Sequence, residues 1–174
     1  CGALLRNPVP PELIAEATIP DFPDVRAWAG RTSEVMERDL ELSFQQESPA
    51  DFVRDADGVV HYPHLALSGG GANGAFGAGF LEGWTETGRR PMFKIVTGVS
   101  TGALMAPFAF LGPTYDESLR EFYTTTATRD IFAIGAVLFR LLRGDSLADT
   151  GPLASLIARH VDDALLGHIA AAHR

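Results

Sequence analysis

Residues Leu65 to Phe108 read LALSGGGANGAFGAGFLEGWTETGRRPMFKIVTGVSTGALMAPF, with two glycine clusters that each follow a short apolar run and open a helix-like segment. Each cluster has the composition of a strand-to-helix turn. The second, Gly98-Val99-Ser100-Thr101-Gly102, fits the G-x-S-x-G nucleophile elbow, in which a serine on a tight, strained turn has its hydroxyl lifted clear of the sheet. Gly98 and Gly102 have no Cβ to crowd the neighbouring strand and helix. The first, Gly69-Gly70-Gly71-Ala72-Asn73-Gly74, lets successive backbone N–H groups turn toward one point, and the helix start adds its positive dipole end. Such a point suits an oxyanion. A serine attacking an ester requires donors preset for the charge that develops on the carbonyl oxygen, and losing one costs about a hundredfold or more in rate. The two clusters together supply a nucleophile, Ser100, and a place for that charge.

The first cluster also matches G-x-G-x-x-G, so a dinucleotide-binding turn is the rival reading. That reading expects an acidic residue about 20 residues further on, at the end of the next strand. Phe93-Lys94-Ile95-Val96-Thr97 has none and runs straight into the serine turn. A phosphate-binding P-loop fails as well, because no Lys-Ser or Lys-Thr follows Gly74.

A glycine-rich SGGGANGA turn, then a helix, a strand and GVSTG, resembles the N-terminal half of a patatin-like phospholipase domain, from about Pro63 to the C-terminus. The resemblance implies hydrolysis of lipid acyl esters by a serine-aspartate dyad with no histidine in the catalytic pair. It matches Ser100 to the nucleophile and Gly69, Gly70 and Gly71 to the oxyanion-hole loop; the Thr101 N–H is expected to complete that hole. Asn73 stands where many family members carry Arg or Lys, although a neutral amide still donates hydrogen bonds. The family's aspartate lies in an Asp-Gly dipeptide far downstream of the nucleophile. Here the only Asp-Gly is Asp57-Gly58, upstream, which reads as a turn between Arg54 and a strand beginning near Val59. None of Asp116, Asp130, Asp145, Asp149, Asp162 and Asp163 has the matching context. The expectation is a dyad whose aspartate is not contained in this chain, together with a missing C-terminal half of the domain. A serine without a base is a weak nucleophile, so the chain alone is expected to be inactive.

With 174 residues, 46% hydrophobic and 21% charged, the chain allows one domain or most of one. A net charge of −8 argues against a nucleic-acid partner, which favours a basic face, and provides no polybasic patch for anionic lipid. No run approaches the ~20 apolar residues of a membrane-spanning helix. The single cysteine, Cys1, excludes an intramolecular disulfide and a thiolate metal cluster; neither a metal nor a cofactor is expected. Cys1-Gly2-Ala3 resembles the start of a mature bacterial lipoprotein, which would be anchored to the cell envelope through acyl chains on that cysteine.

Residues 1–30 read as a tether, since Pro8, Pro10, Pro11, Pro20 and Pro23 favour extended polyproline-like chain. Residues 31–58 read as a helical extension, with Met36, Leu40 and Phe44 on one face of a helix from Ser33 to Gln46. Residues 59–174 read as the N-terminal part of the acyl hydrolase domain. There His64 to Ser68 is the first strand, its apolar centre suited to burial on both faces. Ala72 to Thr87 is the crossover helix with Phe76, Phe80 and Trp84 in one stripe, and Phe93 to Thr97 is the second strand. Thr101 to Leu111 reads as a buried helix containing Pro107, ended by Gly112-Pro113. Thr114-Tyr115-Asp116-Glu117 matches a capping box for a helix with Leu119, Phe122 and Tyr123 inward. The run Ile131 to Leu142 reads as a core or cap helix and is the first candidate for an acyl-chain channel. From Gly151-Pro152 to Ala172 the 3-4 apolar spacing continues without a gap, which predicts one amphipathic helix. His160 and His168 fall on its apolar stripe and are the sole reason to entertain a Ser-Asp-His hydrolase; such histidines are more often core or boundary residues.

These readings converge on an α/β fold, a largely parallel sheet with helices on both faces, incomplete in this chain, acting as a serine acyl hydrolase on a lipid or ester substrate. The alternatives are a non-catalytic lipid-binding module that has lost its base and a nucleotide-binding α/β domain.

Overall fold

The structure, a computed structural model, describes residues 9–124 and 151–172. Cys1 and the run Ile131 to Leu142, and with them the expected lipid anchor and acyl channel, lie outside the described residues. The chain divides into two compact units, Cys1–Glu47 and Ser48–Arg174.

In the first unit Pro11–Glu16 forms a 3-10 helix, where the proline density predicts extended chain. The reason is local: Pro11 sits at the first helical position, where its fixed φ suits a helix and its missing N–H leaves no bond unmade. Helix α1, Glu34–Gln46, begins where the sequence places it, with the Ser33 hydroxyl accepting from the Met36 N–H at 3.4 Å. Met36, Leu40 and Phe44 are all exposed. Ile14, Ile19, Phe22, Val25, Trp28 and Met36 line a cavity of about 640 Å³.

The second unit opens on a 3-10 turn at Pro49–Asp51, and a turn organised by Asp55 follows. Its carboxylate accepts from the N–H groups of Asp57 and Val59 at 3.0 and 2.9 Å and pairs with His61 at 3.0 Å. Arg54 donates to the Gly58 carbonyl, and Gly58 takes a positive φ of 80°, so Asp57-Gly58 is a turn, as its composition predicts. The fold is α/β. Strand β1, His64–Leu67, pairs in parallel with β2, Ile95–Gly98, in the register His64 to Ile95 through Leu67 to Gly98. Helix α2, Gly74–Glu86, connects them. Contrary to expectation, β1 is not buried on both faces: Leu65 and Leu67 pack against the core while His64 and Ala66 are exposed.

Helix α3, Thr101–Leu111, follows β2 and includes Pro107; Gly112, at φ 91°, ends it. Helix α4, Asp116–Thr124, begins after a 3-10 turn at Pro113–Tyr115, later than the capping box predicts. Pro113 favours the tighter turn by occupying its first position. The expected single C-terminal helix is two, α5 at Gly151–His160 and α6 at Asp163–Ala171. Asp162 breaks it by capping α6, its carboxylate accepting from the Leu165 N–H at 2.8 Å.

The core joins Leu81 of α2, Met105 and Phe108 of α3, Leu119 and Phe122 of α4, and Leu165 of α6. Of the aromatic stripe of α2, only Trp84 packs against it, its ring 5.8 Å from that of Phe93. Phe76 and Phe80 are 78% and 59% exposed, whereas Gly74, Ala78 and Leu81 are buried. The small face of the helix allows the closest approach: a Cβ on Gly77 would meet the Met105 methyl at 2.9 Å.

Candidate active site

The two glycine turns leave the carboxyl ends of adjacent strands. In the second, Ser100 stands between β2 and α3 at φ 56°, ψ −121°. A side chain at positive φ is strained, and the surroundings must hold it there. Gly98 and Gly102 make this possible. A Cβ on Gly98 would lie 2.3 Å from the Gly102 carbonyl oxygen, and one on Gly102 would lie 2.4 Å from the Leu67 carbonyl oxygen. The turn is thereby pressed against the end of β1, where the Val99 N–H also donates to the Leu67 carbonyl at 3.1 Å. Val99 itself is exposed. As the first residue of α3, Thr101 has no carbonyl a turn earlier to receive its N–H within the helix, and the dipole end of α3 lies at Ser100.

In the first turn, Gly71 adopts φ 56°, and Gly71–Asn73 forms a 3-10 turn leading into α2. Asn73 donates its N–H to the Gly70 carbonyl at 3.1 Å, and its side chain lies over Gly70. Ala72 and Asn73 are exposed. Gly69 faces the serine: a Cβ there would sit 3.2 Å from the Ser100 Cβ, 3.3 Å from the Val99 carbonyl and 3.9 Å from the Ser100 hydroxyl oxygen. Gly74 closes the other side, where a Cβ would meet the Thr101 hydroxyl at 2.3 Å and the Tyr123 ring at 2.5 Å. The two turns thus touch at both ends of the first motif, Gly69 against Val99 and Ser100 and Gly74 against Thr101.

Among the described residues, the downstream aspartates do not join them. Asp116 is held by Arg90, Nη1 to Oδ1 2.6 Å, in a pair whose arginine side chain is 1% exposed. Arg90 also donates to the Ala109 carbonyl at 3.2 Å and to the Thr85 hydroxyl at 3.1 Å. Asp162 caps α6, and Asp163 is exposed in the first turn of that helix. Asp130, Asp145 and Asp149 lie outside the described residues. The histidines are occupied by aromatic neighbours. The His160 ring packs edge-on against Phe122 at 5.1 Å between centroids, and His168 meets the Tyr115 hydroxyl through Nδ1. Among the described residues, no group of three or more His, Cys, Asp or Glu is placed to hold a metal ion.

Two residues near this region escape sequence reasoning. Arg90 reads as part of the helix stop at Gly88-Arg89-Arg90-Pro91, and nothing in that context announces a buried ion pair. Tyr123 reads as one more inward residue of α4, yet its hydroxyl lies 2.7 Å from the Thr101 hydroxyl and 3.0 Å from the Thr101 carbonyl. Burial pushes its phenol above the ordinary tyrosine range, against the lowering effect of the hydrogen bond with Thr101.

A family model for patatin-like phospholipases matches residues 65–173, more than half of the chain. No curated protein and no solved structure matches it.

Proposed function

The chain belongs to the patatin-like phospholipase family, and from that membership we propose that it carries the nucleophile and oxyanion hole of a serine acyl hydrolase acting on lipid or carboxyl esters. The observation that carries this reading is the approach of Gly69 to Ser100, where a Cβ on the glycine would come within 3.2 Å of the serine Cβ. One carbonyl can reach the serine hydroxyl and the amides of both turns at once. The Ser100 oxygen attacks the ester carbon as its proton passes to a carboxylate base. The carbonyl π electrons move to oxygen, where the N–H groups of Gly70, Gly71 and Thr101 receive the charge, with Gly69 leaving the approach open. Collapse expels the alcohol, which takes the proton, and leaves an acyl-serine. Water then attacks that ester, giving up a proton to the same carboxylate, and the returning proton restores the serine as the fatty acid leaves.

The base in this scheme is an aspartate supplied from outside these 174 residues. Among the described residues, support comes from Asp116, which is committed to Arg90, and from Asp162, which is committed to a helix cap. Asn73 can add an amide N–H at the corner of the first turn. The decisive experiment is a fluorophosphonate probe applied to the full-length polypeptide. Labelling is expected with wild-type Ser100 and absent in Ser100→Ala; labelling that survives the substitution removes the nucleophile assignment.

A further inference from the structure

We propose that Tyr123 is a positioning residue for ester hydrolysis, holding the oxyanion donor of Thr101 in register with the first glycine turn through a buried hydroxyl pair. The inference rests on the reading of Ser100 as nucleophile. Tyr123 belongs to α4, not to either turn, and is 8% exposed. Its single hydroxyl proton goes to the Thr101 carbonyl at 3.0 Å, since a carbonyl can only accept. The bond to the Thr101 hydroxyl at 2.7 Å must then be donated by threonine. Each hydroxyl therefore has a fixed proton, and Thr101 is gripped at both its side chain and its backbone. The third party is Gly74, whose missing Cβ is the space occupied by this pair: the Thr101 hydroxyl and the Tyr123 ring would lie 2.3 and 2.5 Å from it.

The consequence is geometric. Thr101 directly follows Ser100, and Gly74 is the last residue of the first glycine turn, so one buried polar contact fixes the far side of both. Ser100 holds a strained backbone that relaxes unless its neighbours prevent it. Loss of the Tyr123 hydroxyl leaves the Thr101 hydroxyl short of its acceptor in a buried place, takes from the Thr101 carbonyl its one bond outside the helix and frees the first turn of α3 to shift. Misplacement by about 1 Å costs on the order of a hundredfold in rate. A residue acting this way affects the transition state, where the oxyanion exists, and not substrate capture, so its loss appears in kcat and not in KM.

The test is steady-state hydrolysis of a p-nitrophenyl ester by the full-length protein, with the folded fraction measured by circular dichroism on the same samples. Tyr123→Phe is expected to lower kcat per folded molecule about tenfold to a hundredfold with KM held within about twofold. Thr101→Val, which keeps the N–H and removes the hydroxyl, is expected to do the same and serves should Tyr123→Phe fail to fold. Tyr115→Phe, which removes a hydroxyl from the His168 contact instead, is expected to leave kcat unchanged. Unaltered kcat per folded molecule in both Tyr123→Phe and Thr101→Val, in a protein whose turnover is abolished by Ser100→Ala, overturns the proposal and leaves the nucleophile standing. Turnover that persists in Ser100→Ala removes the reading beneath it.

Discussion

Gly98 and Gly102 meet backbone to backbone: a Cβ on Gly98 would lie 2.3 Å from the Gly102 carbonyl oxygen, closer than any real contact permits. The obstacle is main chain on both sides, because a Cβ on Gly102 would strike the Leu67 carbonyl at 2.4 Å. A flexible side chain could swing away; a strand end cannot. Gly98→Ala and Gly102→Ala are therefore expected to destabilise by about 1–3 kcal/mol or more and to abolish probe labelling. Gly79 is the control, since a Cβ there meets nothing within 4 Å and the residue lies inside α2. Gly79→Ala is expected to stabilise by about 0.5–1 kcal/mol. Urea unfolding of the three variants checks the order, and a Gly98→Ala protein as stable as wild type would contradict it.

The same helix carries a second contrast. Leu81 is 1% exposed within the core, while Phe76 is 78% exposed. By size alone the phenylalanine is the larger hydrophobe. By burial, Leu81→Ala is expected to cost about 2–5 kcal/mol and Phe76→Ala no more than about 0.5 kcal/mol. Paired urea titrations decide between these two measures, and a larger loss at Phe76 would place the aromatic stripe in the core.

Legibility in the sequence follows the same division. Both glycine turns were readable because a positive φ and a missing Cβ leave a direct mark on residue type, at Gly71, Gly98 and Gly102. Helix α3 was readable because apolar residues surround it and Gly112-Pro113 ends it. Side-chain periodicity was a poorer guide. It assigned Phe76, Phe80 and Trp84 a shared stripe but could not tell that α2 docks through Gly74, Ala78, Leu81 and Trp84 and leaves Phe76 and Phe80 exposed. It ran through Val161 and Asp162 without a gap, because an N-cap aspartate interrupts a helix without disturbing the apolar spacing around it. Contacts distant in sequence left no mark at all. Arg90 to Asp116 and Thr101 to Tyr123 are created by the packing of α2, α3 and α4, and neither member of either pair carries a local signal.

Arg90 provides a test of such a contact. Its guanidinium bonds Asp116 and three helix groups inside the protein, the Leu81 and Ala109 carbonyls and the Thr85 hydroxyl, and the Asp116 side chain is 12% exposed. Removing the cation strands a carboxylate away from water, so Arg90→Met is expected to lose about 3–5 kcal/mol. Arg90→Lys is not a rescue, because one ammonium cannot replace a planar fork that reaches four partners. The double variant Arg90→Met with Asp116→Leu removes both charges and is expected to recover most of the loss. Chemical denaturation of the single and double variants measures the coupling; additive losses would mean that the pair does not act as a unit.

Tyr123 should also show itself at alkaline pH. Burial raises its phenol above the ordinary tyrosine value of 10.0 in the folded protein. The folded state thus prefers the protonated form more than the unfolded state does. Its stabilising contribution is complete below the ordinary value and is lost as pH rises through the higher folded value. Ionisation also removes the proton donated to the Thr101 carbonyl and sets a phenolate beside that oxygen. Absorbance at 295 nm, followed against pH for this protein of three tyrosines, is expected to contain a component above the ordinary range. Tyr123→Phe is expected to delete that component and to flatten the alkaline fall in melting temperature. A titration in which Tyr123→Phe removes instead a component at the ordinary value would show the phenol open to water, and the Thr101 contact would then be too loose to hold the serine turn.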